Sequence, residues 1–173
     1  MLPSAPVTDD ELEALVRTAL DATGAPFEVL PCDPALADTA AFCAHYGYST
    51  DVSANTIVVM SKNDPPSYVA CVVLATTRLD VNGLVRRRMG VRKASFAPAE
   101  ATVALTGMMI GGVTAFGLPA GLPIWVDAAV MQRDQLILGG GSRSTKILTT
   151  PAALAATPEV EVIDGLANPI DPN

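Results

Sequence analysis

Apolar residues recur along this chain with two different spacings, and each change of spacing marks a passage from helix to strand. After Thr8, the residues Leu12, Leu15, Val16, Ala19 and Leu20 fall on one face at helical period, and Thr8-Asp9-Asp10-Glu11 has the form of a capping box. Residues 27–30 read as a short strand, and a helix is expected from Asp33-Pro34 to about Gly47. Residues 56–60 and 68–75 are unbroken apolar runs rich in valine, separated by Ser61-Lys62-Asn63-Asp64-Pro65-Pro66-Ser67, as in an antiparallel hairpin with a long loop. Asp80 opens a helix that runs through Met89 to Gly90, and Pro98 opens another that ends at Gly107. Strands are expected near 124–126, 136–138 and 146–148, then a short helix after Pro151 and a last strand over 160–163. Helices and strands do not alternate strictly. A doubly wound parallel sheet is therefore disfavoured, and a mixed α+β fold with a mostly antiparallel mixed sheet and surrounding helices fits the order.

Two glycine-rich loops interrupt the second half, each beside an apolar strand. The first is Gly111-Gly112-Val113-Thr114-Ala115-Phe116-Gly117 and the second Gly139-Gly140-Gly141-Ser142. Glycine lets the main chain turn its N–H groups towards a ligand and lets a ligand approach closely, although tight turns alone would also use it. The sequence after Gly139 lacks the adjacent Gly-Lys-Ser/Thr of a phosphate-binding P-loop, which argues against a nucleoside triphosphatase.

Composition narrows the class. Half of the 173 residues are hydrophobic and 17% are charged, which suits one compact domain over residues 1–166. Residues 167–173 hold turn formers with little to bury, so a flexible tail is expected there. Residues 101–126 carry no charge, but five glycines and two prolines break the stretch, so a buried loop and strand fits better than a membrane span. No basic, apolar leader pattern opens the chain, and a cytoplasmic setting is expected. The three cysteines, Cys32, Cys43 and Cys71, match no zinc spacing and read as small core residues of a reduced protein.

Charge is segregated. The net charge of −7 divides into −8 over residues 1–64, +5 over 65–150 and −4 over 151–173. Five of the eleven basic residues lie between Arg86 and Lys93. Such a cluster suits phosphate contact, and equally a solvated helix face. His45, the one histidine, reads as a helix-end residue. Asp80 reads as a helix cap, and Asp127 as either a base or a turn residue at a strand end.

The ordered set GGVTAFGLP, PIWVDAAV and LILGGGS, preceded by NTIVV, YVACVVLATTRLDV and VRKASF, resembles the YbaK/EbsC-type aminoacyl-tRNA deacylases, relatives of the editing domain of some prolyl-tRNA synthetases. The resemblance covers roughly residues 26–165. It implies a curved, partly barrel-like sheet with a pocket on one face, and hydrolysis of the ester of a mischarged tRNA. Two positions depart from the family pattern. Asn55 stands where the family usually has a lysine, the principal functional side chain, and Ala115 stands where the first loop usually has proline. A hydrogen bond to a charged group contributes about 1.5–3 kcal/mol against about 0.5–1.5 for a neutral one, so losing the lysine is expected to cost about tenfold or more.

Carried onto this chain, the resemblance implies catalytic roles for Asn55, Gly111, Gly112 and Ala115. It implies substrate contacts from Thr56, Thr114, Phe116, Gly117, Asp127, Gly140, Gly141 and Ser142. Main-chain N–H groups of the 111–117 loop would stabilise the carbonyl oxygen while water attacks, assisted by a ribose hydroxyl. Lys62, Arg143 and Lys146 are candidates to supply the missing positive charge, and a lysine restored at position 55 is expected to raise activity. Arg86, Arg87, Arg92 and Lys93 are the expected tRNA contacts. No cofactor, metal or membrane is implied. The expected partners are the aminoacylated 3′ end of tRNA and an aminoacyl-tRNA synthetase. A module of the same shape that binds an aminoacyl-adenosine-like ligand without turnover is the alternative.

Overall fold

The computed structural model describes residues 7–170. Its first element, α1 (Asp9–Thr23), starts at the expected capping box. The Thr8 side chain accepts from the Glu11 N–H, and Glu11 accepts from the Thr8 N–H at 3.1 Å. Leu12, Val16 and Leu20 are buried on its inner face, whereas Leu15 is 47% exposed at the margin of that face. The expected single helix after Pro34 is divided: a 3₁₀ turn (Pro34–Leu36) precedes α2 (Thr39–Tyr46). Asp33 caps the first and Asp38 the second, so each carries its own start signal.

The main sheet has the order β5-β2-β3-β6-β9. Its centre is β2 (Ala54–Ser61) paired antiparallel with β3 (Tyr68–Leu74), the expected hairpin. β5 (Ala94–Phe96) adds antiparallel to β2 and forms one edge. β6 (Ile124–Asp127) and β9 (Val160–Ile163) add parallel on the other side. A second sheet joins β1 (Glu28–Pro31), β8 (Thr145–Thr149) and β7 (Leu136–Gly139), all antiparallel. A bridge between Ser53 and Ile137 connects the two sheets. The pairing is mixed and mostly antiparallel, and the strands do not close into a barrel.

The continuous apolar run of β3 follows from its position. Ala70, Val72 and Leu74 face the core under α1, and Val69, Cys71 and Val73 face a second core with Leu79, Val85 and Leu166. A strand covered on both faces has no polar side to alternate. That second core is closed by β4 (Thr77–Leu79), by a π-turn (Val81–Val85) leading into α3 (Arg86–Met89), and by β10 (Ala167–Pro169). Asp80 accepts from the N–H groups of Gly83 and Leu84 and so starts this helical stretch, which ends at Gly90.

The structure differs from the expectation of a flexible tail from residue 167. Ala167–Pro169 pairs antiparallel with Thr77–Leu79, and Ala167 is buried. Open ladder positions on β4 give these residues main-chain partners that composition does not reveal. Residues 171–173 lie outside the described residues. All three cysteines are free and buried. No helix among the described residues is long and apolar enough to cross a membrane.

The remaining helices are α4 (Ala99–Thr106), which begins after Pro98 as expected, and α5 (Pro151–Ala155), which has Pro151 as its first residue. Between α4 and β6 the glycine loop dives into the core: Thr114, Ala115 and Phe116 are at most 1% exposed. The second glycine loop packs on α1. Gly141 has φ +97°, and a Cβ there would lie 2.8 Å from a Val16 methyl and 3.2 Å from the Leu12 carbonyl. Gly141→Ala is therefore expected to destabilise the fold by about 1–3 kcal/mol from backbone strain, with overpacking added. Urea denaturation checks this; a variant as stable as wild type would show that α1 can shift.

Candidate functional site

A cavity of about 480 Å³ opens between the two sheets. One wall is β2, which places Asn55, Thr56 and Val58 on it. A second is the start of α2 with Thr39 and Phe42. A third is formed by Gly111, Gly139, Arg143 and Lys146, where the two glycine loops converge. Phe96, Thr102 and Ile110 stand at its remaining side.

Its polar groups are few and defined. Thr39 Oγ1 donates to Asn55 Oδ1 at 2.6 Å, which orients the amide and leaves its NH₂ unused by this bond. Thr56 Oγ1 is buried without a hydrogen-bond partner. Lys146 is only 5% exposed, and its Nζ donates to the carbonyls of Ala37 at 2.6 Å and Gly111 at 3.0 Å. The ammonium also lies 5.8 Å from the Phe42 ring centroid. Arg143 acts beside it, donating from Nη1 to Ile110 O at 2.7 Å and from Nη2 to Pro34 O at 2.9 Å. Two cations of one segment thus tie the same two pieces of chain, 34–37 and 110–111.

Desolvation pushes the Lys146 ammonium below the ordinary lysine range. Cys32, Asp38 and Cys43 act against that shift, and Arg143 adds to it. Among the described residues the one ion pair is Arg88 with Glu161, so the Lys146 charge has no carboxylate in ion-pair contact. An ammonium has three N–H donors, and two are used on carbonyls.

The residues implied by the sequence separate by position. Asn55, Thr56 and Gly111 line the cavity. Gly112 lies behind it: its N–H donates to Met109 O and its carbonyl accepts from Gly141 N–H, both at 2.8 Å. Thr114, Ala115 and Phe116 belong to the core, and Gly117 packs against Leu15. Gly140 packs on Thr145, and Ser142 donates to Glu13 at 2.6 Å on the α1 side. Asp127 is buried at the end of β6. Burial raises its pKa, opposed by hydrogen bonds from the N–H groups of Leu166, Ala167 and Ala128, with nearby Asp164 adding to the rise. It organises a turn away from the cavity. His45 is exposed in the last turn of α2. Lys62 is exposed and does not line the cavity.

Among the basic residues, Arg88 is held by Glu161 and lies 5.5 Å from the Trp125 ring centroid, and Arg86 Nε donates to Asn82 O at 2.9 Å. Arg87, Arg92 and Lys93 are exposed. Thr39, Phe42, Phe96 and Thr102 carry no sequence signal that distinguishes them from ordinary helix and strand residues. Lys146 does carry one: a lysine next to Ile147 in a short apolar strand is a buried-charge signal. No group of three metal-ligating side chains occurs among the described residues.

The architecture is a mixed α/β domain with a cavity between its sheets whose few polar groups include the cations Lys146 and Arg143. The model of the aminoacyl-tRNA editing domain matches residues 33–157, most of the chain, and the protein belongs to that family. Solved structures share the fold. The hypothetical protein APE2540 matches with a TM-score of 0.77 and 24% identity over 88% of this chain and 99% of its own. A candidate trans-editing enzyme for prolyl tRNA synthetase matches with a TM-score of 0.74 and 23% identity over 88% and 94%. A candidate signal transduction protein from Marinobacter aquaeolei VT8 matches at 0.59 and 17% identity, with 90% of this chain corresponding to 30% of that longer one.

The lowered Lys146 pKa has a consequence for stability. Between the folded-state pKa and the ordinary lysine value the unfolded chain holds more protons, so stability rises with pH across that window. Wild type is expected to gain stability there relative to Lys146→Met, measured by urea denaturation from pH 7 to 10.5. Parallel curves for the two proteins would show that the ammonium is not desolvated.

Proposed function

We propose that this chain hydrolyses the ester bond of a mischarged aminoacyl-tRNA in the cavity between its sheets, with Lys146 supplying the positive charge. The observation that carries this reading is the buried Lys146 ammonium, which shares one cavity with Asn55 and keeps a donor free. The aminoacyl group enters between Phe42, Val58 and Ile137, and the ester carbonyl lies towards Lys146 and the Asn55 amide. Water adds to the carbonyl carbon, and negative charge on the oxygen is met by Lys146 Nζ and Asn55 Nδ2. The carbon–oxygen bond to the ribose then breaks, and the proton lost by water passes to the leaving ribose oxygen, relayed by the neighbouring hydroxyl. Fixed donors aimed at the developing oxyanion lower the barrier to such chemistry more than other single effects do. The main-chain role foreseen for the 111–117 loop narrows to Gly111, because the Gly112 N–H is already used and the following residues are core.

The specific observation favouring a non-catalytic binding module is that no histidine or cysteine lines the cavity among the described residues. Deacylation across a panel of mischarged tRNAs separates the two readings. Wild type is expected to hydrolyse at least one member, and Lys146→Met to lower kcat by about 10²–10³, the usual cost of an oxyanion donor. A lysine at position 55, expected from the sequence to raise activity, would meet the Lys146 charge in the same cavity and lose the Thr39 bond. Asn55→Lys is accordingly expected to slow turnover. Wild-type inertness across the panel, with binding of an aminoacyl-adenosine analogue, would establish the binding module instead.

The exposed basic residues suit contact with the tRNA backbone. Replacing Arg86, Arg87 and Arg92 together by alanine is expected to weaken tRNA binding and reduce the slope of log K against log salt by up to about 2. The choice of amino acid should be unaffected. An unchanged slope would assign these arginines to the solvated surface.

A further inference from the structure

The rim of the cavity is apolar where a soluble surface is usually polar. Phe96 lines the cavity yet is 54% exposed, and Ile110 lines it and is 58% exposed. Ile110 also borders a shallow groove along α4, with Val103 at 41% exposure and Met109 at 56%. Four of the eight large hydrophobic side chains exposed among the described residues thus gather at one cavity mouth. Isolated exposed apolar side chains need no explanation, whereas a contiguous patch beside a cavity marks a contact surface.

The charges around this patch select its occupant. Phe96 ends β5, the edge strand of the main sheet, and Arg92 and Lys93 lie just before that strand. Lys62 stands against them, its N–H bonded to the Lys93 carbonyl at 3.0 Å, and all three side chains are exposed. One acid, Glu100, borders the α4 groove, so a polyanion would be drawn along the β5 side rather than over the helix. An exposed aromatic ring at the end of a strand that exposed basic residues precede combines the two features that hold single-stranded nucleic acid, a face for base stacking and positive charge for the backbone.

Resting on the deacylase reading above, we infer that Phe96 is a stacking platform for the terminal nucleobase of the single-stranded tRNA 3′ end, with Ile110 and Met109 extending the apolar surface beneath the adjoining nucleotide. The aminoacyl group then lies in the cavity while its base is held at the rim. The contact is independent of amino-acid identity, because Phe96 meets only the nucleic-acid part. It is also tolerant of base identity, since every base has a π-face.

Fluorescence anisotropy with two 5′-labelled RNA hexamers tests this, one ending in CCA and one with an abasic ribose as its last residue. Wild type and Phe96→Trp are expected to bind the intact hexamer about 5- to 150-fold more tightly than the abasic one. Phe96→Ala is expected to bind both equally. Phe96 is exposed, so its replacement does not threaten the fold. If wild type hydrolyses mischarged tRNA but does not distinguish the two hexamers, the stacking platform is refuted and the deacylase reading stands. If wild type distinguishes them but hydrolyses nothing, the platform stands and the deacylase reading fails. If sedimentation shows a dimer that Phe96→Ala or Met109→Asp dissolves, the patch is an interface between two copies and the platform is refuted.

Discussion

Two cations on one short segment hold the candidate site together. Lys146 and Arg143 place three of their N–H groups on carbonyls within 2.6–2.9 Å and a fourth at 3.0 Å, and all four acceptors belong to residues 34–37 and 110–111. Those two pieces are far apart in sequence, and neither belongs to a sheet. An ammonium buried without a carboxylate is costly, and the carbonyls meet part of that cost by solvating it. The same bonds fix the distance between the 3₁₀ turn that precedes α2 and the first glycine loop, and hence the width of the cavity. A charge used as a structural staple thereby also lies on the wall of the cavity.

The glycines serve this arrangement from behind. Gly112 hands its N–H to Met109 and takes that of Gly141, which locks the two loops to each other. Gly141 in turn lies against Val16 and Leu12 of α1, so the first helix presses the loops into place. The loops are tight because the main chain of one rests on the main chain of the other, and a Cβ would separate them. This close approach explains the glycine content, and it leaves few main-chain donors for a ligand. The polar work at the cavity passes instead to side chains: Asn55 oriented by Thr39, the unpartnered Thr56 hydroxyl and Lys146.

The helices and the central hairpin were legible because their signals are local. The capping box at Thr8, the start at Asp80 and the glycine stops at Gly90 and Gly107 each concern a few neighbouring residues, and the structure reproduces them. The doubly buried strand 68–74 announced itself as an unbroken apolar run. β4, β5 and β10 were not legible. Each has three residues and exists because a longer-range partner offers an open ladder, so no local pattern distinguishes it from a loop.

The sequence by itself determined the helix starts, the central hairpin, the mixed order of elements and the ordered motifs that the family shares. Those properties depend on periodicity and on residues close in the chain. Only the tertiary structure decided which motif residues meet. It sent Thr114, Ala115 and Phe116 into the core, turned Asp127 to a β-strand turn, and set Lys146 and Asn55 on the walls of one cavity although 91 residues separate them in the numbering. Which way a side chain faces depends on what the other sheet and α1 already occupy. Burial and the demand that every buried polar group find a partner are properties of the packed whole.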